Sequence, residues 1–411
     1  TKRRVLLIAT LDTKKEEALY LRQKIEAAGL EVIHLDPSIR QIIEGGAEIG
    51  PEAVAAAADH TIQQVRDLNH EGKCQEVMTK GSVACALATH KKTPLSGIIA
   101  IGGSMGTSLG TAVMRAFPYG LPKLMISTMA SGYTKGFIGS KDLIMMNPVC
   151  DIAGINRITQ AVYRNGAAAI AGMALNYEAI RDDGKPLALI STLGTTEAAS
   201  RGIRQRLEDE GFEVMVFHTL GTGGMVLDEI AAERDVAVVI DLSLVEINDY
   251  LNDGLCSAGP ERGKAAIAKG IPTIFVPGNI DFMVAGPIDD AKARFPGKRY
   301  HIHNVALTAV RTEAPELRQL ADHMAGIIKE SPTQGNVSFF VPLGGFSEHD
   351  SPRGHLHDPS LPPVFASYLK ESLPEHVNVV ERTEHINDKP FAEAVADHAL
   401  RLYHEKRANK S

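Results

Sequence analysis

Residues 5–36 have the sequence VLLIATLDTKKEEALYLRQKIEAAGLEVIHLD, and residues 187–218, LALISTLGTTEAASRGIRQRLEDEGFEVMVFH, repeat it without a gap. Eleven of the 32 aligned positions are identical, including Thr10 with Thr192. Each copy has an apolar run, a Thr-Leu-x-Thr turn, an amphipathic segment, a glycine and a second apolar run. This is the pattern of a β-α-β unit with a buried pair of parallel strands. The repeat therefore predicts two α/β halves.

The remainder of each half predicts further alternation of strands and helices. A charged Asp-Asp-Gly turn followed by proline, in YEAIRDDGKP at 177–186, is typical of a boundary. We therefore expect two Rossmann-like, doubly wound domains with mainly parallel sheets, over 1–183 and 184–411. Ligands are expected at the carboxyl ends of strands and in the cleft between the domains. The expected strands after each repeat are 97–102, 123–128 and 142–147 in the first half, and 236–242, 272–277, 300–304 and 336–342 in the second.

Composition excludes several classes of protein. The net charge is −7, from 43 basic and 50 acidic residues that are well mixed, so there is no basic surface for nucleic acid. No apolar run reaches the roughly 18 residues that a membrane span needs. The four cysteines are widely spaced, without a C-x-x-C pair. These features predict a reduced, cytoplasmic chain without a cysteine-based zinc site.

Three turns in the first half place small and hydroxylic residues at the expected starts of helices. They are TLDT at 10–13, GGSMGT at 102–107 and STMASG at 127–132. Free N–H groups and the helix dipole favour anions at such places, and glycine lets a phosphate approach the backbone. The expected nucleotide-binding residues are Thr10, Asp12, Thr13, Lys80, Gly102, Gly103, Ser104, Gly106, Thr107, Met129, Ala130, Ser131 and Gly132.

The middle turn matches neither of the familiar phosphate motifs. No lysine follows its last glycine, and Gly102, Gly103 and Gly106 form G-G-x-x-G instead of G-x-G-x-x-G. Helix caps and tight turns are the alternative explanation of all three stretches. Under the phosphate interpretation, Lys80 supplies positive charge and Asp12 is a ligand for Mg²⁺ or for a ribose hydroxyl.

Acidic, imidazole and guanidinium groups follow the expected strands of the second half. The predicted catalytic residues are Glu246, Asp281, His303, Arg311, which would clamp a substrate carboxylate, and His357, on a loop at 344–359 that could act as a lid. His218, Glu246 and His303 are an alternative to Asp12 as a site for a divalent metal. Exposed strand residues, turn caps and ion pairs would explain the same residues without a site.

The chain resembles a known family in motifs along its whole length. ATLDTK, IGGSMGTSL, STMASG, VCDIAGINRI, STLGTTEAA and FHTLGTGGMVLDEI are similar to the amino-terminal domain of the tomato mosaic virus resistance protein and its bacterial homologues. The resemblance implies an ATP-binding protein with two Rossmann-like subdomains, often dimeric. In the plant member this region binds and inhibits a viral replication helicase. Met105 stands where the resembling sequences more often have glycine.

We consider three hypotheses about function. In the first, the chain is a cytoplasmic, ATP-binding metabolic enzyme that acts on a small acidic metabolite in the cleft between the domains, with Mg²⁺ or another divalent metal as a further cofactor. In the second, it is a nucleotide-dependent binding or regulatory protein without turnover. In the third, the glycine turns hold a phosphorylated substrate and no nucleotide. We expect assembly as a homodimer or higher homo-oligomer, and no direct binding to nucleic acid or to a membrane.

Overall fold

The computed structural model describes residues 2–181, 183–333 and 336–408. Contacts divide the chain between residues 181 and 182 into two compact parts, called here the first unit and the second unit. None of the helices within the described ranges is long and apolar enough to cross a membrane.

The first unit is built around a five-stranded sheet in which every pairing is parallel, with strand order β2-β1-β3-β4-β5. Its elements in chain order are β1 (Arg4–Ile8), α1 (Leu11–Ala27), β2 (Glu31–Leu35), α2 (Pro51–Ala56), α3 (Ile62–Asp67), α4 (Glu71–Lys92), β3 (Gly97–Gly102), α5 (Ser104–Arg115), β4 (Lys123–Ser127), α6 (Lys135–Ile138), β5 (Ile144–Met146) and α7 (Arg157–Leu175).

Both faces of this sheet are covered by helices. Helices α1 and α7 pack on one face and α2 to α5 on the other, and all six residues of β3 are buried. A central strand that is apolar at every position, such as Ile98 to Ile101, is what burial on two faces requires.

The strand order fixes where the first unit can bind a ligand. The chain passes from β1 to β2 on one side of the sheet and then returns to place β3 on the other side of β1. Helices α1 and α5 therefore both begin at the carboxyl edge of the sheet, beside the gap between β1 and β3. In a doubly wound sheet with the order 2-1-3-4-5, this change of direction is where ligands bind.

The second unit repeats the arrangement with a larger sheet. Its elements are β6 (Leu187–Thr192), α8 (Glu197–Asp209), β7 (Glu213–His218), α9 (Gly223–Glu233), β8 (Val238–Ser243), α10 (Val245–Leu251), α11 (Ala265–Ala268), β9 (Thr273–Gly278), β10 (Phe282–Ala285), α12 (Ile288–Arg294), β11 (Tyr300–Ile302), β12 (Thr308–Arg311), α13 (Ala314–Lys329), β13 (Val337–Pro342), α14 (Leu361–Ser372), β14 (Asn378–Arg382) and α15 (Lys389–Ala408).

The main sheet of the second unit is parallel throughout, in the order β14-β13-β9-β8-β6-β7. Strands β7-β6-β8-β9 thus correspond in order to β2-β1-β3-β4 of the first unit, and β6-α8-β7 corresponds to β1-α1-β2. The prediction of two doubly wound α/β domains with mainly parallel sheets is confirmed.

An antiparallel sheet in the second unit was not predicted from the sequence. It contains three short strands in the order β10-β12-β11, and the expected strand at 300–304 is its edge strand, Tyr300–Ile302. Strands β10 and β12 were not expected, and the pairing of strands that are separated along the chain is not visible in local sequence patterns. Residues of this sheet form one wall of a pocket.

Candidate functional site

A pocket of about 620 Å³ opens at the change of strand direction in the first unit. We call it the switch-point pocket. It lies between the carboxyl ends of β1 and β3, with residues of α4 on a further side. Of the predicted nucleotide-binding residues, those that line it are Thr10, Asp12, Thr13, Gly102, Gly103, Ser104 and Gly106.

The amino end of α5 faces this pocket. Its N-cap residue is Gly103, which has no side chain to cap the helix, and its first turn contains no acidic residue. Ser104, Met105 and Gly106 of that first turn line the pocket. The first N–H groups of a helix have no partner within the helix, and the dipole favours negative charge there. The end of this 12-residue helix is therefore suited to an anion.

The glycines of this turn have different roles. A Cβ at Gly102 would lie 2.7 Å from the Cα of Gly106, so the turn itself requires glycine at 102. At Gly103 a Cβ would meet nothing closer than the Thr128 hydroxyl at 3.8 Å, and its φ of −78° is available to any residue. The fold therefore does not require glycine at 103, which is the residue directly before the helical turn that lines the pocket.

The amino end of α1, in contrast, already holds a carboxylate. Asp36, fully buried after β2, accepts a hydrogen bond of 3.0 Å from the Leu11 N–H. The Thr10 and Thr13 hydroxyls bond each other at 2.8 Å, and Asp12 Oδ2 accepts the N–H of Arg40 at 3.1 Å. Sequence reasoning missed Asp36; its position directly after the second strand of the repeat was the available signal.

Other predicted nucleotide-binding residues lie outside the switch-point pocket. Lys80 is exposed on α4, and the glycine that follows it serves helix packing, since a Cβ there would lie 1.9 Å from the carbonyl oxygen of Val54. Thr107 is buried and its hydroxyl bonds that of Ser127 at 2.5 Å, which ties the middle turn to the turn after β4. The residues of that third turn do not line the pocket: Met129, Ala130, Ser131 and Gly132.

The glycine turn of the second unit is filled by the protein itself. Glu246 Oε1 accepts the N–H groups of Gly221 at 2.8 Å and Gly224 at 3.2 Å, at the start of α9. Its Oε2 accepts a bond of 2.8 Å from Arg262. A Cβ at Gly224 would lie 1.8 Å from that oxygen, so glycine there makes room for the ion pair. Glu246, predicted to be catalytic, is fully buried and occupies the place where an anion would bind.

Three of the predicted catalytic residues meet around one carboxylate, that of Asp350. The Arg311 guanidinium donates to Asp350 Oδ1 at 3.1 Å, and His357 Nδ1 lies 3.1 Å from the Asp350 carbonyl oxygen. The Ser347 hydroxyl donates to Asp281 Oδ2 at 2.7 Å, beside the same pair. Arg311, Asp281 and Asp350 are each about 99% buried. This cluster fixes the loop at 344–358 to β12, and none of the five residues lines a described pocket.

The buried Asp281 gives the first testable prediction, which concerns stability against pH. Burial and the charge of Asp350 raise the pKa of Asp281 to about 7, above the roughly 3.9 expected in the unfolded chain. The folded state therefore holds this proton more tightly, and stability is lost as the pH rises from about 4 to about 7. Asp281→Asn keeps the acceptor for Ser347 and has no such proton. Urea unfolding should show the stability of the variant, relative to wild type, increasing over that range; a constant difference would contradict the assignment.

A second pocket, of about 730 Å³, lies between the carboxyl edge of the main sheet in the second unit and the three-stranded sheet. We call it the histidine pocket. Gly194 and Thr195 line it, and they correspond in the repeat to Asp12 and Thr13 of the switch-point pocket. Five histidines also line it: His218, His301, His303, His349 and His355.

Three of these imidazoles are in close contact. The ring of His301 stacks on that of His355 with 4.4 Å between centroids and an interplanar angle of 8°, and lies 4.7 Å from that of His349. Burial and the neighbouring histidines lower the pKa of His349 to about 4 and also lower that of His301. These two rings are therefore neutral near pH 7 in the absence of a ligand.

The described residues do not assemble a metal centre. No group of three or more His, Cys, Asp or Glu side chains within residues 2–181, 183–333 and 336–408 is arranged to hold a metal ion. Of the predicted group, His218 and His303 line the histidine pocket, whereas the carboxylate of Glu246 is bound by Arg262 and by backbone N–H groups.

The loop at 344–359, expected to act as a lid through His357, contributes two other histidines to the histidine pocket. His349 and His355 line the pocket, whereas His357 bonds the backbone of Asp350. The loop folds back on itself through the Leu356 N–H and the His349 carbonyl, at 3.0 Å. Which histidine of the loop lines the pocket depends on this folding of the loop, and the spacing of the histidines in the sequence does not reveal it.

Two doubly wound α/β units, each with a pocket where its first strand leads into a helix, define a protein with two Rossmann-like domains. The chain belongs to the uncharacterised protein family UPF0261: the N-terminal domain of the family matches residues 3–179 and its C-terminal domain matches residues 185–403.

Relatives extend over nearly the whole chain. A UPF0261 protein of Clostridium tetani is 32% identical over 401 residues, 97% of this chain and 99% of that protein. The ToMV resistance protein Tm-1(GCR237) of Solanum lycopersicum is 28% identical over 423 residues, 97% of this chain and 56% of that protein. Among solved structures, Acinetobacter baumannii MurG aligns with 98% of this chain and 100% of its own, at 12% identity and a TM-score of 0.22, too low to bear on function.

Proposed function

We propose that the first unit binds ATP, with the phosphates at the amino end of α5 in the switch-point pocket. The observation that carries the proposal is the amino end of α5, whose N-cap residue Gly103 has no side chain to cap it, at the place where a doubly wound sheet binds ligands. The corresponding end of α9 in the second unit is filled by Glu246, and this contrast supports assigning the anion to α5.

The remaining lining of the pocket suits a nucleoside polyphosphate. Lys14 and Arg40 are the basic residues that line it, and Asp12 and Glu71 are the acidic ones. Mg²⁺ is commonly held by one or two carboxylates together with substrate phosphates, and Asp12 is the carboxylate on the same turn as the hydroxyl residues Thr10 and Thr13. We therefore propose Asp12 as the residue that would hold Mg²⁺ when ATP is bound.

Calorimetric titration of the full chain tests the proposal. ATP with Mg²⁺ should bind saturably, inorganic tripolyphosphate should compete with it, and adenosine should bind much more weakly, because recognition is centred on the phosphates. Absence of saturable ATP binding would overturn the proposal. If tripolyphosphate bound as tightly as ATP, the base and sugar would contribute nothing, and the ligand of this pocket would be a phosphorylated compound other than a nucleotide.

For the chain as a whole we propose a metabolic enzyme that couples this site to a small acidic metabolite. The histidine pocket favours an enzyme, since five histidines line it and histidine is the side chain that most often transfers protons in catalysis. The tomato relative is named a ToMV resistance protein, which favours instead a binding protein without turnover. Measurement of ATP consumption against a panel of small carboxylic acids distinguishes the two: acid-dependent turnover supports the enzyme, and its absence supports the binding protein.

A further inference from the structure

We infer that the histidine pocket is a second ligand site, separate from the switch-point pocket, for a small organic acid with an apolar body. This deepens the proposed function, because it gives the acidic metabolite a place within the second unit and identifies the side chains that hold it. The observations behind it are the charges and hydrogen-bonding groups of the lining, the apolar walls and the relation of the pocket to the internal repeat.

The charged and polar lining consists mostly of hydrogen-bond donors. Besides the five histidines, Arg353 lines the pocket, and the single lining carboxylate is that of Glu348, an exposed side chain. The acidic residues near this edge of the sheet are held elsewhere, Asp241 and Glu246 by Arg262. The pocket therefore offers an acid group several donors and little negative charge to repel it.

Apolar side chains make up the rest of the wall. Leu193, Phe282, Val284, Leu307 and Ala309 line the pocket. A volume of about 730 Å³ is in the range of small-molecule sites, which combine apolar walls with a few polar groups that orient the ligand. These walls select an acid that also carries a hydrocarbon or aromatic part.

The internal repeat explains why a pocket is found here and why its chemistry differs. The turn at 193–195 corresponds to the turn at 11–13, and both line pockets at the end of the first strand of a unit. Gly194 stands in the position of Asp12, so the second copy lacks the carboxylate that suits a metal-bound phosphate. The two copies of the turn therefore differ in their chemistry, since the turn at 11–13 carries a carboxylate and the turn at 193–195 does not.

Binding of an acid here is coupled to protons. The groups that face the imidazole cluster are His218 at the end of β7, His303 after β11, and Glu348 and Arg353 on the loop. An anion among the rings stabilises their charged forms and raises the lowered pKa values of His301 and His349. Binding near pH 7 therefore takes up protons, and affinity increases as the pH falls toward the pKa of the ligand acid.

The test is a calorimetric titration of the full chain with benzoate, phenylacetate and 4-methyl-2-oxopentanoate, each beside its neutral amide. The acids should bind saturably and more tightly than their amides, with proton uptake measured from buffers of different ionisation enthalpy. His355→Asn, an exposed position, should weaken binding about fivefold or more, or about 1 kcal/mol. His376→Asn, an exposed histidine outside the pocket, should bind as wild type does.

Three results would overturn the inference. They are failure of all three acids to bind, equal binding of acids and amides, and unchanged affinity in His355→Asn. ATP is titrated into the same samples, so failure of ATP to bind in the switch-point pocket is distinguished from failure of the acids to bind in the histidine pocket. Competition between ATP and the acids would also contradict two separate sites.

Discussion

Replacing Arg262 by methionine is expected to lower the free energy of unfolding by about 3–5 kcal/mol. The guanidinium is 98% buried and forms two bonds to Asp241, at 2.6 and 2.7 Å, and one to Glu246 at 2.8 Å. Asp228 lies 3.7 Å away, and burial raises its pKa to about 7. Without the cation, several carboxylates remain in the interior uncompensated. Urea unfolding near pH 8 measures the loss, which should be smaller at pH 5, where protonation relieves the charge.

Arg318→Met is the matched control for this prediction. Arg318 also bonds two carboxylates, those of Asp322 at 3.3 Å and Glu371 at 2.6 Å, but it lies on the surface with 41% of its side chain exposed. Surface ion pairs contribute about 0–1 kcal/mol, so the control should change stability little. If the two variants lost the same free energy, the buried cluster would not have the structural role assigned to it.

The second large effect is expected on ligand binding, from Gly103→Val. The added side chain stands at the open end of α5 and keeps phosphate oxygens from its N–H groups. Affinity for ATP should fall at least about tenfold, or 1.4 kcal/mol. The fold should be retained, because the φ of −78° suits valine and a Cβ there has no neighbour closer than 3.8 Å. Titration calorimetry gives the affinity, and thermal unfolding checks the fold.

Substitutions at two further glycines serve as controls for Gly103→Val. Gly172→Val places the same side chain on α7, where a Cβ meets no atom within 4 Å, and should leave ATP affinity unchanged. Gly102→Ala should destabilise the chain, since its Cβ would lie 2.7 Å from Gly106. Unchanged ATP affinity in a folded Gly103→Val variant would contradict the proposal that phosphates bind at the amino end of α5.

The sequence predicted the fold well because the fold depends on local patterns. Central strands buried on both faces are apolar at each position, and the repeat at 5–36 and 187–218 shows the same unit twice. The positions of the first-unit turns also follow from this pattern, since each lies between a recognisable strand and a helix. The three-stranded sheet was missed because local patterns do not show which strands pair, and β10 pairs with β12 although α12 and β11 lie between them in the chain.

The chemistry of the second unit could not be predicted in the same way. Glu246 and Arg262 are 16 residues apart, and Arg311 and Asp350 are 39 apart, so these pairs form only once the chain is folded. A carboxylate that follows a strand suggests a catalytic role in the sequence, but the sequence does not show whether that carboxylate faces a pocket or pairs with a buried arginine. The amino ends of α9 and α5 illustrate the same difficulty. The carboxylate of Glu246 occupies the end of α9, whereas the N-cap of α5 is Gly103, yet the sequences GTGG and GGSMG at the two ends look alike.

The central claim, that ATP phosphates bind at the open end of α5, is tested most directly by a crystal structure of the full chain with a non-hydrolysable ATP analogue and Mg²⁺. The account predicts phosphate oxygens within hydrogen-bonding distance of the backbone N–H groups of Ser104, Met105 and Gly106, with the metal beside Asp12. A bound analogue with its phosphates in the histidine pocket, or elsewhere than at 103–106, would contradict it.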